Sequence, residues 1–287
     1  MPTDNIKKAI IFMLISSLSF AFMGVFVKIL VNIPVFEKVF VRNLVSLFIA
    51  LFVILKKGKP IFGKKENQKY LIARSLLGLS GVILFFYALS NMYLADASIL
   101  NKISPFFVTL FATLFLKEKL SKIQIPALII VFIGAIMIIK PRFDFSVIPA
   151  LAGFLSAIFA GGAYTMVRHL RGKEDPSTIV FYFSFVSVIG ISPFLFVDFV
   201  IPNFIEALYL IGIGVFAGIA QIALTHSYRY AKASEISIYN YTNIVFSAIL
   251  GFVIFSEIPD IISIVGGLLI IITAFMVFKY NLKNGSK

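Results

Sequence analysis

The chain has 287 residues, of which 60% are hydrophobic and 14% are charged, and its mean hydropathy is +1.01. Soluble domains carry about 25% charged residues, so the composition excludes a soluble globular domain and a soluble coiled coil, because too few polar residues remain to cover a surface. The net charge of +13 and the absence of cysteine identify neither a nucleic-acid partner nor a compartment. An integral membrane protein is the expected class.

Ten stretches are long and apolar enough to cross a bilayer, which takes about 20 mainly apolar residues. They do not alternate as the strands of a membrane barrel do, so the predicted fold class is an all-α integral membrane protein. In chain order, the predicted spans are Ala9–Leu30, Phe36–Leu55, Tyr70–Ser90, Ala95–Leu116, Ile123–Ile139, Val147–Val167, Thr178–Val197, Phe204–Tyr228, Ser234–Ser256 and Ile261–Phe278.

The positive charges predict the orientation of these spans. Nineteen of the 26 Lys and Arg residues fall on one side of the spans, and Lys140 and Arg142 alone fall on the other. Because cytoplasmic loops are enriched in Lys and Arg, both termini are predicted to be cytoplasmic in a multi-pass protein of the cell membrane. The first apolar run is interpreted as a retained helix, since it is longer than a usual signal-peptide core and no small-x-small cleavage site follows it closely.

The two halves of the sequence resemble each other in the same order along the chain. "VFVRNLVS" (Val39–Ser46) matches "VFYFSFVS" (Val180–Ser187), and "YLADAS" (Tyr93–Ser98) matches "RYAKAS" (Arg229–Ser234). The sequence therefore predicts two five-helix repeats, residues 8–140 and 147–279, followed by a cytoplasmic tail at 280–287. Because five is odd, the second repeat is inverted relative to the first, an arrangement typical of carriers that work by alternating access.

Several motifs then identify a family. "LADAS" precedes a helix with the proline-containing "ISPFF", "LKEKLS" and "FSEIPD" follow helices four and nine, and Arg42 lies in helix two. Over nearly the whole chain this pattern resembles the EamA type of the drug/metabolite transporter (DMT) superfamily. The resemblance implies a ten-helix carrier whose central cavity is formed mainly by helices one to four of each half, with helices five and ten at the periphery. In the second half "TNIVF" (Thr242–Phe246) replaces the proline, so a kink in helix four need not recur in helix nine.

Lys102 is the leading candidate for substrate binding. It lies ~9 Å into the membrane from Asp96 at a rise of about 1.5 Å per residue, and it shares a helix face with Ser98. Pro105 cannot donate to the carbonyl of Asn101, which is left free and favours the cavity position. Lys102 either lines a water-filled cavity, or extends to the interface or to Asp96.

Other polar and aromatic residues at depth are further candidates, each with an alternative structural role. Asn240, Asn243 and Ser247 form one stripe that either binds substrate or joins helices. Arg42 either reaches the cavity or pairs with Glu37 or Asp96 at the outer mouth. The remaining candidates are the pair Gln221 and Thr225, and the aromatic residues Tyr87, Tyr164 and Tyr239, which otherwise serve packing.

Two further cations are interpreted as interface residues. Arg74 lies near the cytoplasmic end of the third predicted span, where its guanidinium is expected to extend to the lipid headgroups. Lys28, at the outer end of the first span, is expected to lie at the other interface.

The expected function is secondary transport of small organic metabolites. All 13 acidic residues lie in loops or near helix ends. This placement favours amino acids or related carboxylate-bearing or zwitterionic solutes over organic cations as the substrates. Export is the expected direction. The alternatives are a passive channel, or a translocator of lipids or of nucleoside- or nucleotide-like metabolites with the same fold. No phosphate-binding loop of the GxxxxGK[ST] type and no hydrolase motif is present, so ATP-driven transport and catalysis are not expected.

The expected partners are a small-molecule substrate and the lipid bilayer. No cofactor, metal or nucleic acid is expected. The sequence leaves open whether transport is coupled to a proton or to a counter-solute, and whether the protein is a monomer or a homodimer.

Overall fold

The computed structural model describes residues 6–58, 60–116, 122–140, 147–170, 172–230 and 237–284. Within these ranges the chain forms eleven α-helices, which confirms the all-α membrane fold. Nine helical stretches of this part are long and apolar enough to cross a membrane, and Gln124–Ile139 is a shorter apolar helix. Each of the ten predicted spans overlaps one of these stretches.

The first half of the chain contains six of the helices, because the fourth predicted span is divided into two. A short 3-10 turn, Lys65–Asn67, leads into the third helix. The helices are α1 (Ile6–Ile29), α2 (Val35–Lys57), α3 (Gln68–Asn91), α4 (Leu94–Asn101), α5 (Ser104–Leu116) and α6 (Gln124–Ile139).

The second half contains five helices. They are α7 (Ile148–Leu170), α8 (Pro176–Ile191), α9 (Phe204–Tyr230), α10 (Thr242–Phe255) and α11 (Ile261–Asn284). A 3-10 segment, Ser192–Phe196, extends α8, and another, Ser237–Tyr241, leads directly into α10. The last helix continues through residues 280–284 of the predicted tail, and 285–287 lie outside the described part.

Local sequence signals set several helix ends. Asp175 caps α8 by accepting a hydrogen bond from the Ser177 backbone N–H at 2.9 Å, and a proline occupies the first helical position, where its missing N–H costs nothing. Gly58 ends α2 with a φ of +60°, a conformation that glycine adopts without strain. Asp260 accepts from the first backbone N–H groups of α11 at 3.0 and 3.1 Å.

The packing of the helices follows the predicted inverted symmetry. Helix α1 packs on α9, and its counterpart α7 packs on α3 in the same way. Helix α2 packs on α9, and its counterpart α8 packs on α3. The pairs α2–α8, α4–α10 and α6–α11 each join a helix to its own counterpart. Matched contacts of this kind place a pseudo-two-fold axis through the centre of the bundle.

The contact between α6 and α11 is so close that only glycine fits at two positions. A Cβ at Gly134 of α6 would lie 2.8 Å from the Gly266 carbonyl oxygen of α11, and a Cβ at Gly266 would lie 2.7 Å from the Gly134 carbonyl oxygen. Small residues at such crossings allow membrane helices to approach closely.

Gly134→Ala is therefore expected to lower the thermal stability of the purified protein, because the new methyl group pushes α6 and α11 apart at a cost of about 1–3 kcal/mol. Gly190→Ala is the matched control, since its Cβ would meet only Leu79 Cδ2, at 3.3 Å. Melting curves of the two variants in detergent measure the difference, and equal melting temperatures would contradict a close-packed α6–α11 contact.

Candidate functional site

A cavity of about 140 Å³ lies where the two repeats meet. A water molecule needs roughly 10–15 Å³ by the same measure, so the cavity holds several waters or part of a small solute. Its lining side chains come from α1–α4, the break after α4, and α7–α10. Helices α6 and α11 supply none of the described lining residues and pack on each other. This is the distribution that the family resemblance implies.

The cavity is positively charged. Arg42, Arg74 and Lys102 line it, and its described lining residues include no aspartate or glutamate. The ion pairs found among the described residues, Lys28–Glu257 and Lys140–Asp260, involve other groups. Cations inside a membrane protein are costly and usually mark a site that handles charge.

Lys102 lies at the break between α4 and α5. Its ammonium Nζ donates to Asn240 Oδ1 at 3.0 Å, and its carbonyl accepts from the Tyr241 hydroxyl at 3.3 Å. Both partners belong to the 3-10 segment before α10, so the two irregular segments, one from each repeat, meet at this lysine. Broken helices of this kind often form the substrate sites of carriers with inverted repeats.

The proline that drew attention to this region is not itself the break. Pro105 lies in the first turn of α5, which begins at Ser104. A proline there removes no helical hydrogen bond, because the first N–H groups of a helix have no partner within it. The helix is interrupted two residues earlier, at Lys102 and Ile103. An irregularity also occurs at the start of the ninth span, although "TNIVF" contains no proline.

Polar contacts between helices surround Lys102. Ser98 Oγ donates to Ser247 Oγ at 2.8 Å, and Asn101 Nδ2 donates to Ser156 Oγ at 3.2 Å. Asn243 Nδ2 donates to the Ser17 carbonyl at 2.9 Å. Each bond joins a helix of one repeat to a helix of the other, so these side chains connect the repeats at the level of the cavity.

Helix ends are tied together on the side that the loop charges predict to be outside. Lys28 donates to the Met92 carbonyl and forms an ion pair with Glu257, whose Oε2 accepts from the Leu94 backbone N–H at 2.8 Å. Nearby, Lys140 pairs with Asp260 on the surface. The hydrogen bond from Lys140 lowers the pKa of Asp260 to about 2, so this carboxylate stays ionised and paired until the pH falls to about that value.

Comparison with known proteins decides the family. The EamA-like transporter family matches residues 7–140 and again residues 147–279. The chain belongs to the EamA-like transporter family. It is therefore a transporter of the drug/metabolite type and a multi-pass protein of the cell membrane.

Relatives in this family cover most of the chain. The pseudopaline exporter CntI of Pseudomonas aeruginosa strain UCBPP-PA14 is 34% identical over 95% of this chain and 96% of its own length. Human solute carrier family 35 member G1 is 26% identical over 90% of this chain and 75% of its own. A riboflavin transporter of Brucella anthropi is 29% identical over 66% of this chain and 69% of its own length.

A solved crystal structure has the same fold. It superposes with a TM-score of 0.68, covers 94% of this chain and 96% of its own, and shares 16% identity with it. At that identity the likeness concerns the arrangement of the helices alone.

Within this EamA-like transporter, most of the candidate residues predicted from sequence lie together. Asn240 contacts Lys102 without lining the cavity itself. The side chain of Thr225 lies outside the described part of the structure. The candidates that line the cavity are Arg42, Ser98, Asn101, Lys102, Tyr164, Gln221 and Asn243.

Two aromatic candidates lie elsewhere. Tyr87 is 36% exposed on α3 and is not among the lining residues. Tyr239 packs against Ala9 and Met13 of α1, in a separate apolar cluster. Both positions fit the packing role that the sequence left open for them.

The structure overturns the interpretation of Arg74 as an interface residue. Arg74 is only 8% exposed and lines the cavity. Lys28 lies at the end of α1, where it contacts the Met92 carbonyl and Glu257, and its place at the interface stays a prediction. Arg42 also has no ion pair with Glu37 or Asp96 in the described residues, since its Nη1 donates to Asn43 Oδ1 at 2.8 Å.

Ser46, Phe183 and Ser184 line the cavity and were not candidates. The internal repeat could have identified Phe183 and Ser184. In the matched segments "VFVRNLVS" and "VFYFSFVS", Phe183 occupies the position of Arg42, and Ser184 that of Asn43. Helices α2 and α8 pack on each other, so residues at matched positions meet near the axis.

Proposed function

We propose that this transporter exports small organic solutes that carry a carboxylate, such as amino acids and related acids, by alternating access. The observation that carries the proposal is the cavity between the repeats, which three cationic side chains line and to which no described carboxylate contributes. Such a cavity attracts negative charge and disfavours organic cations, because the protein's own field is positive where the solute binds.

The architecture supports alternating access. Two inverted repeats of similar structure can exchange conformations, so that the cavity opens to either side with similar energy. Polar contacts tie α1, α4 and α10 at one end of the bundle, and contacts of this type can be broken and remade during a cycle. The exporter from Pseudomonas aeruginosa supports outward transport.

The decisive experiment is counterflow in proteoliposomes made with the purified protein. Vesicles loaded with an unlabelled acidic or zwitterionic amino acid should accumulate the labelled compound transiently, as a carrier requires. In a passive channel, unlabelled solute inside the vesicles would not cause the labelled solute to accumulate. Organic cations of similar size should be transported at least tenfold more slowly. Faster transport of cations, or flux that rises linearly with concentration without saturation, would contradict the proposal.

A further inference from the structure

Phe183 of α8 contacts the guanidinium groups of two arginines from the first repeat. The guanidinium carbon of Arg74 is 3.8 Å from the centroid of the Phe183 ring, and that of Arg42 is 5.5 Å from it. A cation over an aromatic face is attracted by the ring electrons. Such a contact stabilises the charge but supplies no conventional hydrogen-bond acceptor for the N–H donors of the guanidinium.

Several of these donors have no hydrogen-bond partner in the part of the chain that the structure describes. They are Nε and Nη1 of buried Arg74 and Nε of Arg42. The buried hydroxyl of Ser184, which lines the same cavity, also has none there. Buried polar groups are nearly always hydrogen-bonded, and a buried charge without a counter-charge is costly. The arrangement therefore lacks an anionic acceptor.

Close packing limits the hydrogen bonds that the Arg74 guanidinium can make within the protein. A Cβ at position 78 would lie 2.6 Å from Arg74 Nη1 and 2.9 Å from Phe183 Cε2, so glycine at this position makes room for the contact. The guanidinium is thus held between the α3 backbone and the aromatic ring. Arg74 also lines the cavity, so a ligand bound there would lie next to it.

The arginines lie beside the symmetry axis, whereas Lys102 belongs to a different element. Arg42 and Phe183 occupy matched positions of the two repeats on helices α2 and α8, which pack on each other. Lys102 lies at the α4–α5 break, held by Asn240. The cavity is thus lined by cations with different neighbours, two arginines beside Phe183 and a lysine beside Asn240.

We propose that Arg42, Arg74 and Ser184 form a second anion subsite, and that the transported solute carries two carboxylates, one for this subsite and one for Lys102. The edge of a guanidinium binds a carboxylate through two parallel N–H···O bonds, whereas an ammonium acts as a point charge. A solute with a single carboxylate leaves one of the two cationic groups unpaired and binds more weakly. The inference rests on the proposed function, from which it takes the contact with Lys102.

The test compares matched pairs of acids on the purified full-length protein, by isothermal titration and by ligand-induced thermal stabilisation. Glutamate and glutamine differ by one carboxylate, as do glutarate and butyrate. Wild-type protein should bind the two-carboxylate member of each pair at least tenfold more tightly. Arg74→Gln should abolish this preference, so that the two members of each pair bind with similar affinity.

The unliganded variant gives a second readout. Because Arg74→Gln removes a buried charge without a counter-charge, its melting temperature without ligand should rise by ~2–4 °C. An arginine with a merely structural role would give the opposite shift. Arg168→Gln is the matched control, since Arg168 is exposed in the last turn of α7, and it should leave the binding preference unchanged.

The results distinguish failure of the second anion subsite from failure of the proposed function. An Arg74→Gln protein that keeps the preference for two carboxylates overturns the second subsite but leaves the proposed function intact. Failure of every acid to bind the wild-type protein overturns both. If Arg74→Gln does not fold, Arg42→Gln is measured in the same way, and retention of the preference there overturns the subsite.

Discussion

Replacing Lys102 with methionine is expected to slow the transport of carboxylate-bearing solutes by about 10–100-fold. The substitution keeps an unbranched apolar side chain one atom shorter than that of lysine and removes the charge that lines the cavity. A hydrogen bond to a charged group contributes about 1.5–3 kcal/mol, and about 1.4 kcal/mol corresponds to a factor of ten. Initial counterflow rates in proteoliposomes, at equal amounts of folded protein, measure the loss.

Two controls separate the charge of Lys102 from its contact with Asn240. If the loss came from the bond between Lys102 Nζ and Asn240 Oδ1, then Asn240→Ala would reproduce it. We expect Asn240→Ala to reduce the rate only about threefold, since hydrogen bonds between membrane helices average about 0.6 kcal/mol. Lys65→Met removes an exposed lysine and should leave the rate unchanged. A Lys102→Met protein with wild-type rates would exclude Lys102 from the substrate site.

The helices of this fold could be predicted from sequence because a bilayer imposes a length on every apolar run. The first predicted span, Ala9–Leu30, corresponds to the helix Ile6–Ile29, and the sixth, Val147–Val167, to Ile148–Leu170. The inverted repeat was visible for a related reason, since matched helices occupy similar surroundings and keep similar residues. The matched helix contacts are the structural counterpart of that pattern.

The face that a helix turns toward the cavity was harder to predict. These helices are apolar on all sides, because one side meets lipid and the other meets protein, so periodicity does not distinguish the two. The position of Arg74 near the end of the third predicted span therefore suggested the headgroup region, although its side chain lines the cavity. Its direction depends on the ring of Phe183, more than 100 residues away in sequence, and on the space left by Gly78.

Pro105 drew attention to the fourth span, but it does not itself cause the break, because a proline is tolerated at the start of a helix. The chain instead begins a new helix at Ser104 and leaves Lys102 in the interruption. What holds Lys102 there is the second repeat, through Asn240 and Tyr241. Rules based on neighbouring residues in the sequence cannot predict such contacts.

Glu257→Gln is expected to open the cavity toward the side that the loop charges predict to be outside. Glu257 is 8% exposed, and it joins the end of α10 to the first N–H of α4 and to Lys28 of α1. A carboxylate is favoured at the N-terminus of a helix by the helix dipole. Glutamine would leave the Lys28 ammonium without its counter-charge, and removing one partner of a buried ion pair costs about 3–5 kcal/mol. That cost falls on the closed state and shifts the population toward the open one.

The chain contains no cysteine, so a single cysteine at the cavity-lining position Ser46 reports on access. A membrane-impermeant maleimide added from outside should label Ser46→Cys at least tenfold faster when Glu257→Gln is also present. Asp260→Asn, at the same end but in an exposed pair with Lys140, should change little, because surface ion pairs contribute about 0–1 kcal/mol. Combining Lys28→Met with Glu257→Gln removes both charges, so labelling should be slower than with Glu257→Gln alone. Labelling as fast as with Glu257→Gln alone would mean that the missing carboxylate, and not an uncompensated lysine, opens this side.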